Sequence, residues 1–361
     1  MRRQTERKPC DDTALPRSPA PRPLATKPSP ASLVHPMKSG PVGTRVRPEP
    51  AVDACLWTLV GGSALIVGAM MLGNQLPVLV ASPAFAALAV VLGLLAETWR
   101  RCAGAATPLQ ARLGNLSEYG LVLIAIGVLG AVASYQVAAI SRGFCDDDLQ
   151  HWDTVLHFDW LDLYRLVARH LLLQHAGSAA YNAVFLYPWA ILIWHSWRDE
   201  RDHAREFLLT FWLAAALTLA LFPLFPARGA LDHLWQGPVP YWPSNGLTQG
   251  VVIDALRAHR MAAIDLSAVI GVVSAPSFHT VCGVLFIAFS WRIPQLRPLI
   301  VPLNLVLLAA TPVEGSHYLI DMIIGAAVAG IALVAVRKRL PLVALLQRLG
   351  ARRRRPAPAA R

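Results

Sequence analysis

The sequence predicts an all-α protein that crosses a membrane about eight times, and three observations carry that prediction. Of the 361 residues, 55% are hydrophobic and only 15% charged, against about 25% charged in an average soluble domain. Mean hydropathy is +0.45. The apolar residues fall into long runs, and a helix needs about 17–25 such residues to cross a bilayer core. This composition excludes an ordinary water-soluble enzyme and leaves little chain for a second, soluble domain.

Residues 1–50 contain eleven prolines among scattered Arg, Lys and Ser. With no apolar period, they read as a disordered basic tail. They lack the charged-then-apolar-then-small order of a cleaved signal peptide, and Met37 offers an alternative start. Eight apolar segments follow, at about 54–73, 76–96, 119–140, 179–197, 206–225, 276–291, 297–313 and 318–337. The fourth is interrupted by Pro188, the sixth and seventh are short, and Pro298, Pro302 and Pro312 punctuate the seventh. Residues 51–118 thus hold two spans and a loop, 119–340 hold six more spans, and 341–361 form a second basic tail.

Two connections carry more than turn residues. From Val155 to Leu173, apolar residues alternate with His157, Asp159, Asp162, Arg165 and Arg169, which suits one helix lying in the membrane interface. Residues 231–262, with Trp235, Trp242 and several prolines, read as an ordered loop followed by a short helix. Five cysteines (10, 55, 102, 145 and 282) show neither a Cys-x-x-Cys pair nor a metal-like spacing. They read as small buried hydrophobes.

The net charge of +11 resides in the tails. Residues 1–50 hold ten Lys/Arg against four Asp/Glu, and residues 337–361 hold nine Lys/Arg and no acid. Basic tails beside spans read as anchors on anionic lipid, not as a nucleic-acid surface. With both termini cytoplasmic, the short connections 97–118, 198–205 and 292–297 face the cytoplasm and carry Arg100, Arg101, Arg198, Arg201, Arg292 and Arg297. The longer connections 141–178 and 226–275 face the other side, and the first is rich in aspartate. This is the positive-inside pattern of a multi-pass inner-membrane protein of bacterial type.

That topology brings three polar clusters to one membrane face. Pro226-Ala227-Arg228 ends the fifth span, Pro276-Ser277-Phe278-His279-Thr280 opens the sixth, and Gly315 to Asp321 opens the eighth. His317 and Asp321 lie four residues apart, on one helix face. A carboxylate there can fix the imidazole tautomer and stabilise its cation. Such a pair also suits a self-satisfied contact between helices. Pro276 fits a first helical turn, whose free amides at Ser277, Phe278 and His279 would attract an anion. Arg228 on its own reads as an interfacial anchor.

Together the clusters resemble the type 2 phosphatidic acid phosphatase (PAP2) superfamily. The forms Pro-Ser-Phe-His and Gly-x-His-Tyr-x-x-Asp are similar to its inositol-phosphorylceramide-synthase-like branch. So is the stretch Asp153-Thr154-Val155-Leu156-His157-Phe158-Asp159-Trp160. The resemblance covers about 120–337 and implies a PAP2-like bundle for the last six spans. It implies that His317 is the nucleophile, that Asp321 orients and charge-stabilises it, and that His279 protonates the leaving oxygen. Arg228 and the backbone around Ser277 and Phe278 would hold the phosphate oxygens. The implied substrate is a lipid phosphate or phosphodiester, handled without metal or cofactor. Water as acceptor makes a phosphatase, and a polyol or lipid hydroxyl makes a phosphotransferase.

Four positions depart from the superfamily pattern. Leu221 stands where it has a Lys, Thr311 where it has an Arg, Gly229 where a Pro follows the first Arg, and Phe278 where it has a Gly. Arg142, Arg257 and Arg260 are candidate replacements for the missing charge. The losses keep a second class open, a non-enzymatic lipid-binding or transport protein on the same scaffold. The retained trio His279, His317 and Asp321 weighs against it.

The orientation is testable by cysteine labelling in intact cells. A cysteine placed in 231–250 should react with an impermeant reagent from outside, and one in 198–205 only after the inner membrane is opened. The reverse accessibility would contradict the placement of the site as well.

Overall fold

A computed structural model describes residues 54–245 and 247–338, so the two tails and Met37 lie outside the described residues. The described residues form α1 (Ala54–Asn74), α2 (Pro83–Cys102), α3 (Pro108–Ile140), α4 (Asp146–Val155), α5 (Trp160–Arg169), α6 (Leu171–Asn182) and α7 (Tyr187–Arg198). They continue as α8 (Arg201–Leu221), α9 (Ala230–Leu234), α10 (Gln249–Arg257), α11 (Phe278–Ser290), α12 (Arg297–Glu314) and α13 (Leu319–Arg337). Six of these are long and apolar enough to cross a membrane: α1, α2, α3, α8, α12 and α13. A 47° bend separates α6 from α7, and together they make a seventh crossing if taken as one broken span. α11 has only 13 residues. The expected count of eight therefore requires both the bent pair and the short helix.

Local capping explains where the observed boundaries differ from the apolar runs. α2 starts at Pro83 and not near 76, because the Ser82 hydroxyl accepts the Phe85 amide at 3.2 Å and proline suits the first turn. The freed segment crosses to a distant loop, where Leu79 N–H donates to the Ile264 carbonyl at 2.8 Å. α3 starts well before its apolar run, at a capping box of Thr107 and Gln110. The single interfacial helix expected over 155–173 is instead divided. α4 ends at Val155, His157 takes a left-handed φ of 57°, and Asp159 accepts the Asp162 amide to start α5.

The packed centre lies where α3, α8, α11 and α13 meet. Phe207 of α8 meets Phe289 of α11 edge-on at 5.2 Å, within a cluster that includes Tyr119, Leu192 and Phe286. α13 lies against the start of α11 because residue 325 is glycine. A Cβ there would stand 2.6 Å from the Ser277 carbonyl oxygen. Outward faces are apolar: α2 buries no residue, and Leu65 and Leu72 are 78% and 82% exposed. In water such surfaces would drive aggregation, whereas lipid covers them at no cost.

The two ends of the bundle differ. One is closed by α4, α5, α9 and α10, packed over the C-termini of α3, α8 and α12 and the N-termini of α11 and α13. At the opposite end Arg292 and Arg337 both pair with Glu206, at 3.2 and 3.0 Å. The Arg-bearing short loops thus share one end, and the three sequence clusters share the other.

Gly325 gives a paired stability test. Gly325→Ala should lower the thermal unfolding midpoint in detergent, by about 1–3 kcal/mol of stability, because the methyl group must part α11 from α13. Gly330→Ala, where nothing lies within 4 Å of an added Cβ, should cost nothing measurable.

Candidate active site

The turn between α12 and α13 sets the site. The Ser316 amide donates to the Val313 carbonyl at 3.2 Å and the His317 amide to the Pro312 carbonyl at 3.0 Å, which is a Schellman closure of α12. Ser316 occupies its left-handed position, with φ 55°, where glycine is usual and a side chain is strained. Two bonds offset that strain. Ser316 Oγ accepts the Leu231 amide at 2.8 Å, and its carbonyl accepts the Ala230 amide at 2.9 Å. The loop after Arg228 is thereby stitched to the residue before His317.

Two aspartates of α4 complete the framework. Asp153, fully buried, accepts the Leu319 and Ile320 amides, each at 2.9 Å, and so caps the first turn of α13. Burial pushes its carboxyl above the ordinary range, and the two amides pull it back. Asp146 accepts the Arg228 amide at 2.9 Å, the Gly229 amide at 3.1 Å and the Tyr318 hydroxyl at 3.1 Å. Trp160 adds a further tie, donating from Nε1 to the Pro312 carbonyl at 2.9 Å. Thus the Asp153–Trp160 stretch, singled out in the sequence only as a similarity, is a support for the turn that carries His317.

On this frame His317 and Asp321 are both buried. His317 Nδ1 stands 3.6 Å from Asp321 Oδ2, which also accepts the Tyr318 amide at 3.1 Å. Nε2 faces away from the carboxylate, over Gly315. A Cβ on Gly315 would lie 2.9 Å from His317 Nε2 and 2.9 Å from the Tyr181 hydroxyl. Only glycine lets the His317 ring and the Tyr181 hydroxyl come this close to the backbone, since a Cβ would also stand 2.5 Å from His317 Cδ2. The Tyr181 ring stacks on His279 with centroids 3.8 Å apart, so one aromatic ring joins the two histidines.

α11 presents its N-terminus beside them. The Ser277 hydroxyl accepts the Thr280 amide at 3.4 Å, and the Ser277 amide donates to the Asp321 carbonyl at 3.1 Å. The amides of Phe278 and His279 precede any helical acceptor and are left for an anion. The Phe278 ring packs near Phe211, at 5.9 Å, so only its backbone is available. At α13 the corresponding donors are already taken by Asp153. The two helix starts are therefore unequal, and only α11 offers free donors.

Arg228 joins the frame through its backbone, while its guanidinium takes another direction. It pairs with Asp254 at 3.0 Å and lies over the Phe144 ring at 4.3 Å. Arg257 lies over the same ring at 4.4 Å and donates to Ser141 Oγ at 2.8 Å. Leu221 packs at the edge of the apolar core, and the Thr311 hydroxyl bonds its own helix at the Leu307 carbonyl, 2.7 Å away. Neither position presents a polar group to the histidines. Sequence reading brought His317, Asp321, His279, Ser277 and Phe278 together, as the structure does. It gave no site role to Tyr181 or Asp146, named Asp153 only within a stretch of similarity, and passed over the buried Glu314, which accepts from the Tyr241 hydroxyl and from Ser244. The Gly315-x-His317 spacing was the one available sign that something approaches His317 closely.

The described residues thus form an all-helical bundle with apolar outward faces, a histidine backed by a carboxylate and a second histidine at a helix start. A model of the PAP2 superfamily matches residues 147–335, from the first turn of α4 to the last turns of α13. The chain belongs to that superfamily. α1, α2 and also α3 lie outside the matched region, so the match starts at α4 and does not reach the span at 119–140 that the resemblance was expected to include. Comparisons with curated proteins and with solved structures gave no match.

The α4 support can be tested through stability. Asp153→Ala should lower stability by about 2 kcal/mol, since two first-turn amides lose their acceptor. Asp153→Asn, which keeps one acceptor oxygen, should lose less, and Asp148→Ala on the exposed side of α4 should lose nothing. Thermal unfolding of the purified protein reads all three.

Proposed function

We propose that the chain is an integral-membrane phosphatase or phosphotransferase acting on a lipid phosphate or phosphodiester, with its site on the non-cytoplasmic face. The observation that carries this reading is the direction of His317. With Nδ1 turned to Asp321 Oδ2 at 3.6 Å, Nε2 is left as the nucleophilic nitrogen, beside Gly315 and the Tyr181 hydroxyl.

In the first step His317 Nε2 attacks phosphorus and a P–N bond forms as the P–O bond to the leaving group breaks. The proton on His279 passes to the leaving oxygen. Asp321 stabilises the charge that His317 gains as Nδ1 keeps its proton. The Phe278 and His279 amides accept charge developing on the phosphoryl oxygens. In the second step His279, now neutral, takes a proton from the incoming hydroxyl, whose oxygen attacks phosphorus and releases His317. Water yields free phosphate and a polyol or lipid hydroxyl yields a new ester. The Pro-Ser-Phe-His form and the Asp153–Trp160 stretch favour transfer, by similarity to the inositol-phosphorylceramide-synthase-like branch.

One observation favours a second reading. The Arg228 guanidinium is occupied by Asp254, and Leu221 and Thr311 supply no cation, which suits a lipid-binding protein without turnover. Turnover of a panel of lipid phosphates, with and without polyol acceptors, separates the two.

The histidine assignments predict distinct defects. His317→Ala should abolish turnover and any acid-labile phosphoprotein. Asp321→Asn should leave the site assembled but slow. His279→Ala should hurt substrates with poor alcohol leaving groups most, while an activated aryl phosphate still phosphorylates His317. Phosphoprotein that survives His317→Ala, or that maps to His279, would reverse the assignment.

A further inference from the structure

Tyr181 has a role in neither of the histidine assignments, yet its surroundings are unusual. It is 4% exposed, and no well-aligned hydrogen bond forms at its hydroxyl, the nearby Asn245 side chain donating to the Gly271 carbonyl at 3.1 Å. A buried hydroxyl without a partner is costly and needs an explanation. The hydroxyl faces His317 Nε2 across the space over Gly315, and the ring behind it is stacked flat on His279 at 3.8 Å. Tyr181 thus sets an unpartnered donor beside the nucleophile and its ring beside the acid.

A phosphoryl group in flight exposes three equatorial oxygens that carry its charge. The open start of α11 supplies two amides for them, from Phe278 and His279. The chain lacks a cation at Leu221 and at Thr311, and its Arg228 guanidinium is held by Asp254. One oxygen is therefore short of a donor. A tyrosine hydroxyl provides one hydrogen and no net charge, which suits a pocket where a lysine would be expensive to bury.

We propose that Tyr181 is a catalytic residue, its hydroxyl donating a hydrogen bond to a non-bridging oxygen of the phosphoryl group at His317 while its ring holds His279 in place. No covalent bond to Tyr181 forms and its proton stays on oxygen. This rests on the phosphoryl-transfer reading above and extends it. It makes the phosphoryl site dependent on one neutral side chain from α6 where the superfamily pattern uses cations.

The test uses the purified full-length protein and three variants: Tyr181→Phe, Tyr181→Leu and His317→Ala. Orthovanadate, a phosphoryl mimic, is titrated without lipid, and lipid-phosphate turnover is measured separately. Tyr181→Phe keeps the stacked ring and removes only the unpartnered hydroxyl, so its thermal midpoint should equal or exceed that of the parent. Its kcat/KM should nonetheless fall about 10- to 100-fold, mainly in kcat, and vanadate should bind about as many fold more weakly. Tyr181→Leu should be worse, because His279 also loses its support. If the parent binds vanadate but turns over no lipid phosphate, the function reading fails while the vanadate comparison still decides the role of Tyr181. Equal vanadate binding by parent and Tyr181→Phe overturns the proposal, as does a parent that binds no vanadate. A Tyr181→Phe defect that merely follows a lowered thermal midpoint also overturns it.

Discussion

The arrangement depends on two carboxylates of one short helix. Asp146 and Asp153 of α4 accept five hydrogen bonds, from the amides of Arg228, Gly229, Leu319 and Ile320 and the hydroxyl of Tyr318. Both are buried. Hydrogen bonds to a charged group are each worth about 1.5–3 kcal/mol, and a buried carboxylate stripped of its partner costs about as much again or more. α4 therefore cannot be docked halfway. Either it holds the loop after α8 and the start of α13 at once, or it leaves charge buried alone. His317, which sits between those two anchored segments, takes its position from them.

The same carboxylates divide labour between two helix starts. α13 begins beside the nucleophile, and its positive end would draw a phosphate towards it if its amides were open. Asp153 occupies them, while α11 keeps the Phe278 and His279 amides free. The free donors thus lie on the side of His279 and not at the helix that follows His317. The superfamily cations missing at Leu221 and Thr311 have not left raw vacancies. Leu221 packs against the apolar core, Thr311 bonds within its own helix, and the surviving arginine is balanced by Asp254. The pocket is in this sense organised by neutral donors and buried acids more than by positive charge.

Much of this was legible in the sequence because the decisive signals are local. Long apolar runs marked most of the spans, and Ser277 marked a helix start, but Pro276 lies ahead of that cap and the Ser277 amide is not free, because it donates to the Asp321 carbonyl. The four-residue spacing of His317 and Asp321 did pair them, yet not along one helix face: α13 begins at Leu319, and His317 stands in the turn before it. Helix boundaries at Pro83 and Pro108 were missed because caps, not hydropathy, decide them. The single helix expected over 155–173 failed for the same reason, since Asp159 restarts the chain. Tyr181, Asp146 and Asp153 were illegible as site residues. Their partners lie far away along the chain, and a tyrosine within an apolar run looks like any other interfacial aromatic. Arg228 shows the converse limit: its motif position was plain, but the direction of its guanidinium is set by Asp254 and Phe144 on other segments.

The sequence distance between Asp153 and its amides has a consequence for biogenesis. Leu319 lies 166 residues beyond Asp153, in the last of the described helices. Until α13 is inserted, α4 has no donors for Asp153 and the Tyr318 hydroxyl cannot reach Asp146. Asp146 can already hold the Arg228 and Gly229 amides at that stage, but Asp153 cannot be satisfied. A chain in which α13 has not docked thus carries an unpaired carboxylate, a mark by which membrane quality control can tell it from the folded protein.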